Sequence, residues 1–279
     1  MKRTTRYALV GAGLLLSTLE VARAAGTATN VTGLYYTGVN DGGGLLASGT
    51  DSHWKVTTAT LNGVANSTYQ GAAYVVNPID SGWVKNTSSA QWITAPGAVN
   101  SSGTVNAGGD VLPGSGTGTG PGYNSASYTY TLTFYIGGSD PVGTAVTNNV
   151  SITLTLAADD QAQIYINGVA AGPLQTSAWT STKPITLHNY DDGTAANANF
   201  KIGANTLAIQ VDNTDSKIGQ QAANPNASGL LVYQTGTAIL IDGKPNPAPE
   251  VGVWLPVAGG LGIFFWQRRR QSAKPLSVA

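Results

Sequence analysis

The chain contains no cysteine, and only 10% of its 279 residues are charged. A disulfide framework is therefore excluded, so the stability of the folded protein must come from its hydrophobic core. Neither the Gly-x-Ser-x-Gly nor the His-Glu-x-x-His motif occurs, and the sequence holds only two histidines, His53 and His188. Neither histidine has a recognisable catalytic partner, and we predict that the protein is not an enzyme.

A serine, a histidine and an aspartate do occur together in the segment Thr50-Asp51-Ser52-His53-Trp54. The members of a catalytic triad normally come from separate elements, so this segment predicts the entry to a strand instead. Glycoside hydrolysis would need two carboxylates facing each other across a cleft. It is the weakest of the functions considered, because residues 25–249 contain no glutamate and their aspartates fall mostly in predicted turns.

Arginine is absent from the middle of the chain, where residues 25–249 carry six lysines against twelve aspartates, a net charge of −6. A mildly acidic protein without arginine has no electrostatic attraction for phosphate backbones. The composition therefore argues against nucleic acid as a partner.

The first 24 residues have the three regions of a signal peptide. Basic residues (Lys2, Arg3 and Arg6) precede the apolar run 8–16, and Ala22-Arg23-Ala24 offers a signal-peptidase site. The alternative is an anchor helix, but the run is shorter than the roughly 20 residues that a bilayer span needs. We predict export with cleavage after residue 24.

The C-terminal end predicts a membrane-sorting tail. A Pro-rich linker (243–250) leads to an apolar segment with a basic end (251–270) and a short tail (271–279). The apolar part of this segment is residues 251–266. As a helix with about 1.5 Å rise per residue it would span only ~24 Å of a ~30 Å hydrocarbon core. The arginines at the end of the segment should stay cytoplasmic, which leaves the preceding domain outside.

The order of linker, Pro249-Glu250, short apolar helix and Arg268-Arg269-Arg270 resembles the PEP-CTERM sorting signal, although Val251 stands where a second proline is expected. The resemblance implies an exosortase-like sorting enzyme as a partner, transient anchoring in the inner membrane, and delivery to the cell envelope or the exterior. An uncut single-pass anchor is the alternative.

Between the two ends, residues 25–242 predict one all-β domain, an antiparallel β-sandwich. Apolar and polar residues alternate over 128–136, 152–156, 164–166 and 207–211, as strands with one buried face require. The Gly-rich stretch 108–122 predicts a flexible loop, with a boundary between two domains as the alternative. Weaker strand candidates are 33–39, 54–61, 72–76, 91–94, 230–233 and 238–241, and about ten strands fit a jelly roll.

The segments ITLTLAADDQAQIYINGVAAG, GANTLAIQVDN and ASGLLVY, in this order, resemble the galactose-binding-like jelly roll of carbohydrate-binding modules. The resemblance implies the fold more than a ligand. The earlier segments GVNDGGGLLASGTDSHWKV and AAYVVNPIDSGWVKNTSSAQWITAP resemble the entry region of such domains in PEP-CTERM proteins.

Two sets of residues are candidate sites. Asp159 and Asp160 predict either turn chemistry or, with loop aspartates at 191, 192, 212 and 215, a Ca²⁺ site built from carboxylate and carbonyl oxygens. Trp179 lies in a polar segment, and with Tyr190 it is a candidate platform for stacking on sugar rings. Such aromatic residues equally often fill a core.

These observations favour a non-enzymatic protein of the envelope or extracellular matrix, associated with exopolysaccharide or biofilm. The alternative is a dedicated carbohydrate-binding module with structural calcium. The two differ because the module needs an exposed aromatic platform beside an Asp-rich loop.

Overall fold

The computed structural model describes residues 26–61, 63–77, 79, 82–96, 125–138, 140–176, 179–190, 198–214, 228–235 and 238–246. The signal peptide (1–24), the Gly-rich loop (108–122), Pro249-Glu250, the sorting helix (251–270) with Arg268 to Arg270, and the tail (271–279) lie outside these residues. Within them, no helix is long and apolar enough to cross a membrane.

The described residues form an all-β structure in which every strand pair is antiparallel, and this confirms the predicted class. A single 3-10 turn, Ser67–Tyr69, is the one helical segment of this part of the chain. The strands are β1 (Ala28–Thr32), β2 (Thr50–Leu61), β3 (Val64–Ala65), β4 (Gly71–Val75), β5 (Ile93–Thr94), β6 (Ser125–Gly138), β7 (Val150–Asp159), β8 (Gln161–Ile166), β9 (Val169–Ala170), β10 (Gln175–Thr176), β11 (Lys183–His188), β12 (Gly203–Thr214), β13 (Gly229–Tyr233), β14 (Ile239–Ile241) and β15 (Lys244–Pro245).

The first layer is centred on β6, with β2 on one side and β12, followed by β8, on the other. Its register aligns apolar side chains in rows across the strands. Leu132 lies opposite Leu207, which lies opposite Ile166, and all three are buried. The alternating pattern of the sequence thus places one face of the layer in the core.

The second layer is centred on β7, which pairs with β11 on one edge and with β13 and β14 on the other. Leu154 lies opposite Ile185, and Leu156 lies opposite Val232. These residues belong to the same buried cluster as the rows of the first layer, so the two layers pack face to face as a β-sandwich. Strands β4 and β5 connect them, pairing with β2 and β13 respectively.

Four strand predictions with strong alternation correspond to β6, β7, β8 and β12, and most weaker candidates also correspond to strands. The exception is 33–39, which forms no strand, although the N–H of Thr37 donates to the carbonyl of Val232 over 3.0 Å. Strands β1 and β11 carry a weaker pattern and were not predicted.

Two hairpins follow from turn chemistry. Asn167 and Gly168 both have positive φ, 52° and 81°, as a type I′ turn between β8 and β9 requires. Asp242 and Gly243 have φ of 51° and 71° between β14 and β15. Strand β15 therefore begins inside the predicted linker (243–250), and the domain extends beyond residue 242.

Candidate glycan-contact site

A second hydrophobic cluster lies on the outer side of the second layer, and we call it the aromatic layer. Ala157 of β7 and Leu231 of β13 point away from the sandwich core because their neighbours along each strand point into it. Val76, Trp83, Ala90 and Trp92 pack against them. The buried members are Val76, Trp83, Ala90, Trp92, Ala157 and Leu231, and the partly buried ones are Tyr36, Tyr74, Ile79, Val84, Trp179 and Tyr233.

Two stacked tryptophans form the base of the aromatic layer. The rings of Trp83 and Trp92 have centroids 4.2 Å apart, and both residues are almost fully buried. Trp83 Nε1 donates to Asp159 Oδ2 over 2.8 Å, and Trp92 Nε1 donates to the carbonyl of Val84 over 2.8 Å. A side chain at Gly229 would collide with the Trp83 ring, since a Cβ there would lie 2.6 Å from Cη2. The base is therefore a rigid, satisfied structure.

The rim of the aromatic layer consists of four partly exposed aromatic side chains, Tyr36, Tyr74, Trp179 and Tyr233. The Trp179 carbonyl accepts from the N–H of Val84 over 2.7 Å, and the Tyr233 hydroxyl donates to Thr182 Oγ1 over 3.3 Å. Partial burial raises the pKa of the Tyr36 phenol through desolvation, so this hydroxyl stays protonated at neutral pH. Such a surface offers apolar ring area beside neutral hydroxyl groups, the combination that stacks on sugar rings.

The two predicted metal ligands have different surroundings. Asp159 is buried and its carboxylate accepts the hydrogen bond of Trp83, whereas Asp160 is partly exposed and its N–H donates to the Asp212 carbonyl over 3.2 Å. The peptide bond between them is cis. The pair joins β7 of the second layer to β8 of the first. Among the described residues no three His, Asp or Glu side chains form a metal-binding group, and positions 191, 192 and 215 lie outside them.

The two predicted platform residues are separated. Trp179 lies in the rim of the aromatic layer, and Asp159 lies at the base of the same layer through its bond to Trp83. Tyr190 is partly buried and belongs to another contact, with its ring centroid 4.4 Å from that of His188 and its carbonyl 2.7 Å from His188 Nδ1. Sequence reasoning missed the role of Trp83, because its partner Asp159 is 76 residues away along the chain.

The Asp-Ser-His segment forms the entry to β2. Both carboxylate oxygens of Asp51 are occupied, since they accept from the backbone N–H groups of Gly38, His53 and Trp54. Ser52 Oγ donates to Asp41 Oδ1 over 3.0 Å, and His53 Nε2 lies 3.4 Å from the same oxygen. Burial raises the pKa of Asp51, and its three backbone hydrogen bonds oppose that rise. Asp41, not the histidine, lies between Ser52 and His53, whereas in a catalytic relay the histidine lies between the serine and the aspartate.

Searches for related proteins found no match to a protein-family model and no similar curated protein. Among solved structures, an α-xylosidase of glycoside hydrolase family 31 from Xanthomonas citri aligns at TM-score 0.28 and 8% identity, covering 67% of this chain and 16% of that enzyme. A β-glucosidase from Kluyveromyces marxianus, in complex with glucose, aligns at TM-score 0.21 and 9% identity, covering 47% of this chain and 12% of that enzyme.

A family 35 carbohydrate-binding module from an environmental isolate aligns at TM-score 0.19 and 17% identity. That alignment covers 49% of this chain and 89% of the module. All three TM-scores lie below 0.5, so these likenesses do not indicate a function for this chain.

Proposed function

We propose that this protein is an exported, non-enzymatic component of the cell envelope or extracellular matrix that contacts polysaccharide through the rim of the aromatic layer. The observation that carries the proposal is the partial exposure of four aromatic side chains, Tyr36, Tyr74, Trp179 and Tyr233, over a rigid tryptophan base. Ring faces held by packing lose little conformational entropy when a sugar stacks on them.

Export and sorting belong to the same proposal. The three-part N-terminal segment and the C-terminal order of Pro249-Glu250, apolar segment and arginines support signal-peptidase cleavage and transient anchoring before release by an exosortase-like enzyme. A jelly roll of the galactose-binding type is the finer form of the sandwich that we propose.

Binding is tested with the full chain in detergent, by native electrophoresis in gels that contain one polysaccharide each. We expect Trp179→Ala to weaken retention by the preferred polysaccharide roughly fivefold to tenfold, because one stacked ring is lost. Val64→Ala is the matched control, since Val64 is 69% exposed and lies outside the aromatic layer. Equal retention of Trp179→Ala and wild type would exclude the rim as the contact site.

Processing is tested separately by the intact mass of protein recovered from the native host. We expect a mass that lacks residues 1–24 and the basic end. Recovery of a chain that still carries Arg268 to Arg270 would reject cleavage of the tail and leave a permanent anchor.

A further inference from the structure

The outer side of the first layer presents a surface of a different kind, which we call the open face: the outward-facing residues of β6 (127–135), β8 (161–165) and β12 (204–212). On β6 these are Ser127, Thr129, Thr131, Thr133 and Tyr135. The other two strands contribute glutamine, alanine, threonine and tyrosine, and a single charged side chain, Asp212, lies at one end. The open face is therefore rich in hydroxyl and amide groups, and one opposite charge, the exposed Lys55 of β2, lies beside Thr131 at its edge.

An aromatic ring is exposed within this largely uncharged surface. Tyr135 is 52% exposed although it lies in a strand that is paired on both sides, with Thr32 of β1 and Ala204 of β12 as its neighbours. Gly33 lies beside the ring, and a Cβ there would be 3.7 Å from Tyr135 Cδ2. Small neighbours leave the ring accessible to a partner.

A second tyrosine extends the surface across the layer. Tyr165 of β8 lies opposite Ala208, which lies opposite Thr131. Four residues along the strands and two strands across place the backbones of Tyr135 and Tyr165 about 16 Å apart. A chain of several sugars can reach both rings, with the small residues between them.

Two glutamines extend the open face beyond Tyr165, on the side away from Tyr135, and their amide groups are held in place before any ligand arrives. Gln163 Nε2 donates to the carbonyls of Ile164 and Gly172, each over 3.1 Å, and Gln210 Nε2 donates to Asp212 Oδ1 over 3.0 Å. With the amide nitrogens fixed, the amide oxygens are preorganised acceptors for hydroxyl groups. Preorganisation lowers the entropic cost of binding.

We propose that the open face is a second glycan-contact surface, which binds an extended, neutral polysaccharide by stacking on Tyr135 and Tyr165. This inference rests on the proposed association with polysaccharide but uses the opposite side of the sandwich. The charges of Asp212 and of the adjoining Lys55 balance, and the domain carries a net charge of −6, so an acidic polysaccharide gains no net electrostatic attraction. A neutral chain offers apolar ring faces and hydroxyl groups that match the surface.

The test is electrophoresis of the full chain in gels containing galactomannan, xylan or hydroxyethylcellulose, with polygalacturonate as the acidic comparison. We expect a neutral polysaccharide to retard the wild type, equally at about 0.05 M and 0.5 M NaCl because no charge pair is involved. Tyr135→Ala and Tyr165→Ala should each weaken binding roughly fivefold to tenfold, and Tyr135→Phe should retain it. Val64→Ala again serves as the control.

The outcomes separate the two surfaces. Loss of binding in Tyr135→Ala with normal binding in Trp179→Ala supports the open face and removes the rim. The reverse result overturns the open face and leaves the proposed function intact. Failure of all three neutral polysaccharides to retard the wild type, or binding to polygalacturonate alone, overturns this inference. Because Tyr135 is half exposed, we expect Tyr135→Ala to keep the melting temperature of the wild type. An unchanged melting temperature then excludes misfolding as the cause of lost binding.

Discussion

The strands on the two outer sides of the sandwich alternate in the same way, but only the side formed by the second layer is covered by another segment of the chain. On the first layer the outward positions are mostly threonine, glutamine and tyrosine, and all except Thr131 are at least partly exposed. On the second layer the outward positions include Ala157 and Leu231, which are apolar and fully buried against Val76, Trp83 and Trp92. Outward apolar residues in a strand therefore indicate that another segment covers it.

The difference also separates structural aromatics from candidate binding aromatics. Trp83 and Trp92 are buried and have their indole N–H groups satisfied, so they support the fold. Tyr135 has half of its surface exposed in a well-paired strand, where its ring contributes little to the core. Substitutions on the two sides should therefore have opposite consequences for stability and binding.

The largest expected effect is the loss of the base of the aromatic layer. Trp83→Ala should lower the free energy of unfolding by about 3–5 kcal/mol, since it leaves a cavity above β7 and β13 and removes the partner of Asp159. Tyr135→Ala should change it by less than about 0.5 kcal/mol. Denaturant titration of both variants measures the contrast, and equal losses would show that the two sides do not differ in this way.

The next effect isolates the hydrogen bond beneath the aromatic layer. Asp159→Ala should cost about 1–3 kcal/mol, because the buried Trp83 N–H loses its acceptor. Asp159→Asn keeps an acceptor oxygen and should cost less, and Asp160→Ala, at a partly exposed position, should cost less than about 1 kcal/mol. A loss for Asp160→Ala that matches the loss for Asp159→Ala would contradict the assigned role.

A smaller effect concerns Asp51, which links the two layers because the N–H of Gly38 donates to it while the neighbouring Thr37 bonds to β13. Its folded pKa is raised above the ordinary 3.8 by burial, so the folded state favours the protonated form. Its contribution to stability is therefore fully present below the ordinary pKa and is lost as the pH rises through the folded pKa.

Asp51→Asn cannot titrate, so the difference between wild type and this variant isolates that contribution. We expect the difference in unfolding free energy to shift in favour of the wild type as the pH is lowered from the folded pKa of Asp51 to its ordinary pKa. A difference that grows with rising pH would mean that the three backbone hydrogen bonds outweigh burial and that the folded pKa is lowered.

Much of the fold could be predicted because the residues that decide it are local. Tyr128 to Ile136 alternate strictly, and Asn167-Gly168 adopts the turn that its dipeptide favours. Strand β11 could not be predicted as readily, since only Ile185 and Leu187 alternate in it and Pro184 interrupts the pattern. The Asp242-Gly243 turn carried a usable signal that the surrounding prolines obscured.

The candidate sites were less predictable because they depend on contacts between distant segments. Trp179 was singled out from a polar neighbourhood, yet its position in the rim is set by the chain around Val84. Asp159 was singled out for its carboxylate, and the structure uses that carboxylate to hold an indole. Tyr135 carries no signal of its own in the sequence, because it belongs to the strand face that is otherwise serine and threonine; the structure shows it 52% exposed between Thr32 and Ala204.

The smallest expected effect is that of calcium. The Asp159 carboxylate accepts the Trp83 hydrogen bond, and the backbone N–H of Asp160 donates to the Asp212 carbonyl. No group of three His, Asp or Glu side chains that could hold a metal occurs among the described residues. An ion at a hundredfold excess over its Kd would add about 2.7 kcal/mol and raise the melting temperature by several degrees. We expect instead that the melting temperatures of the full chain in millimolar calcium and in chelator will agree within about 1 °C, which is well below the shift that a bound ion would cause. A shift of several degrees that Asp160→Ala abolishes would establish Asp160 as a calcium ligand, and would make the junction between the layers, rather than either outer side, the part of the molecule that an ion controls.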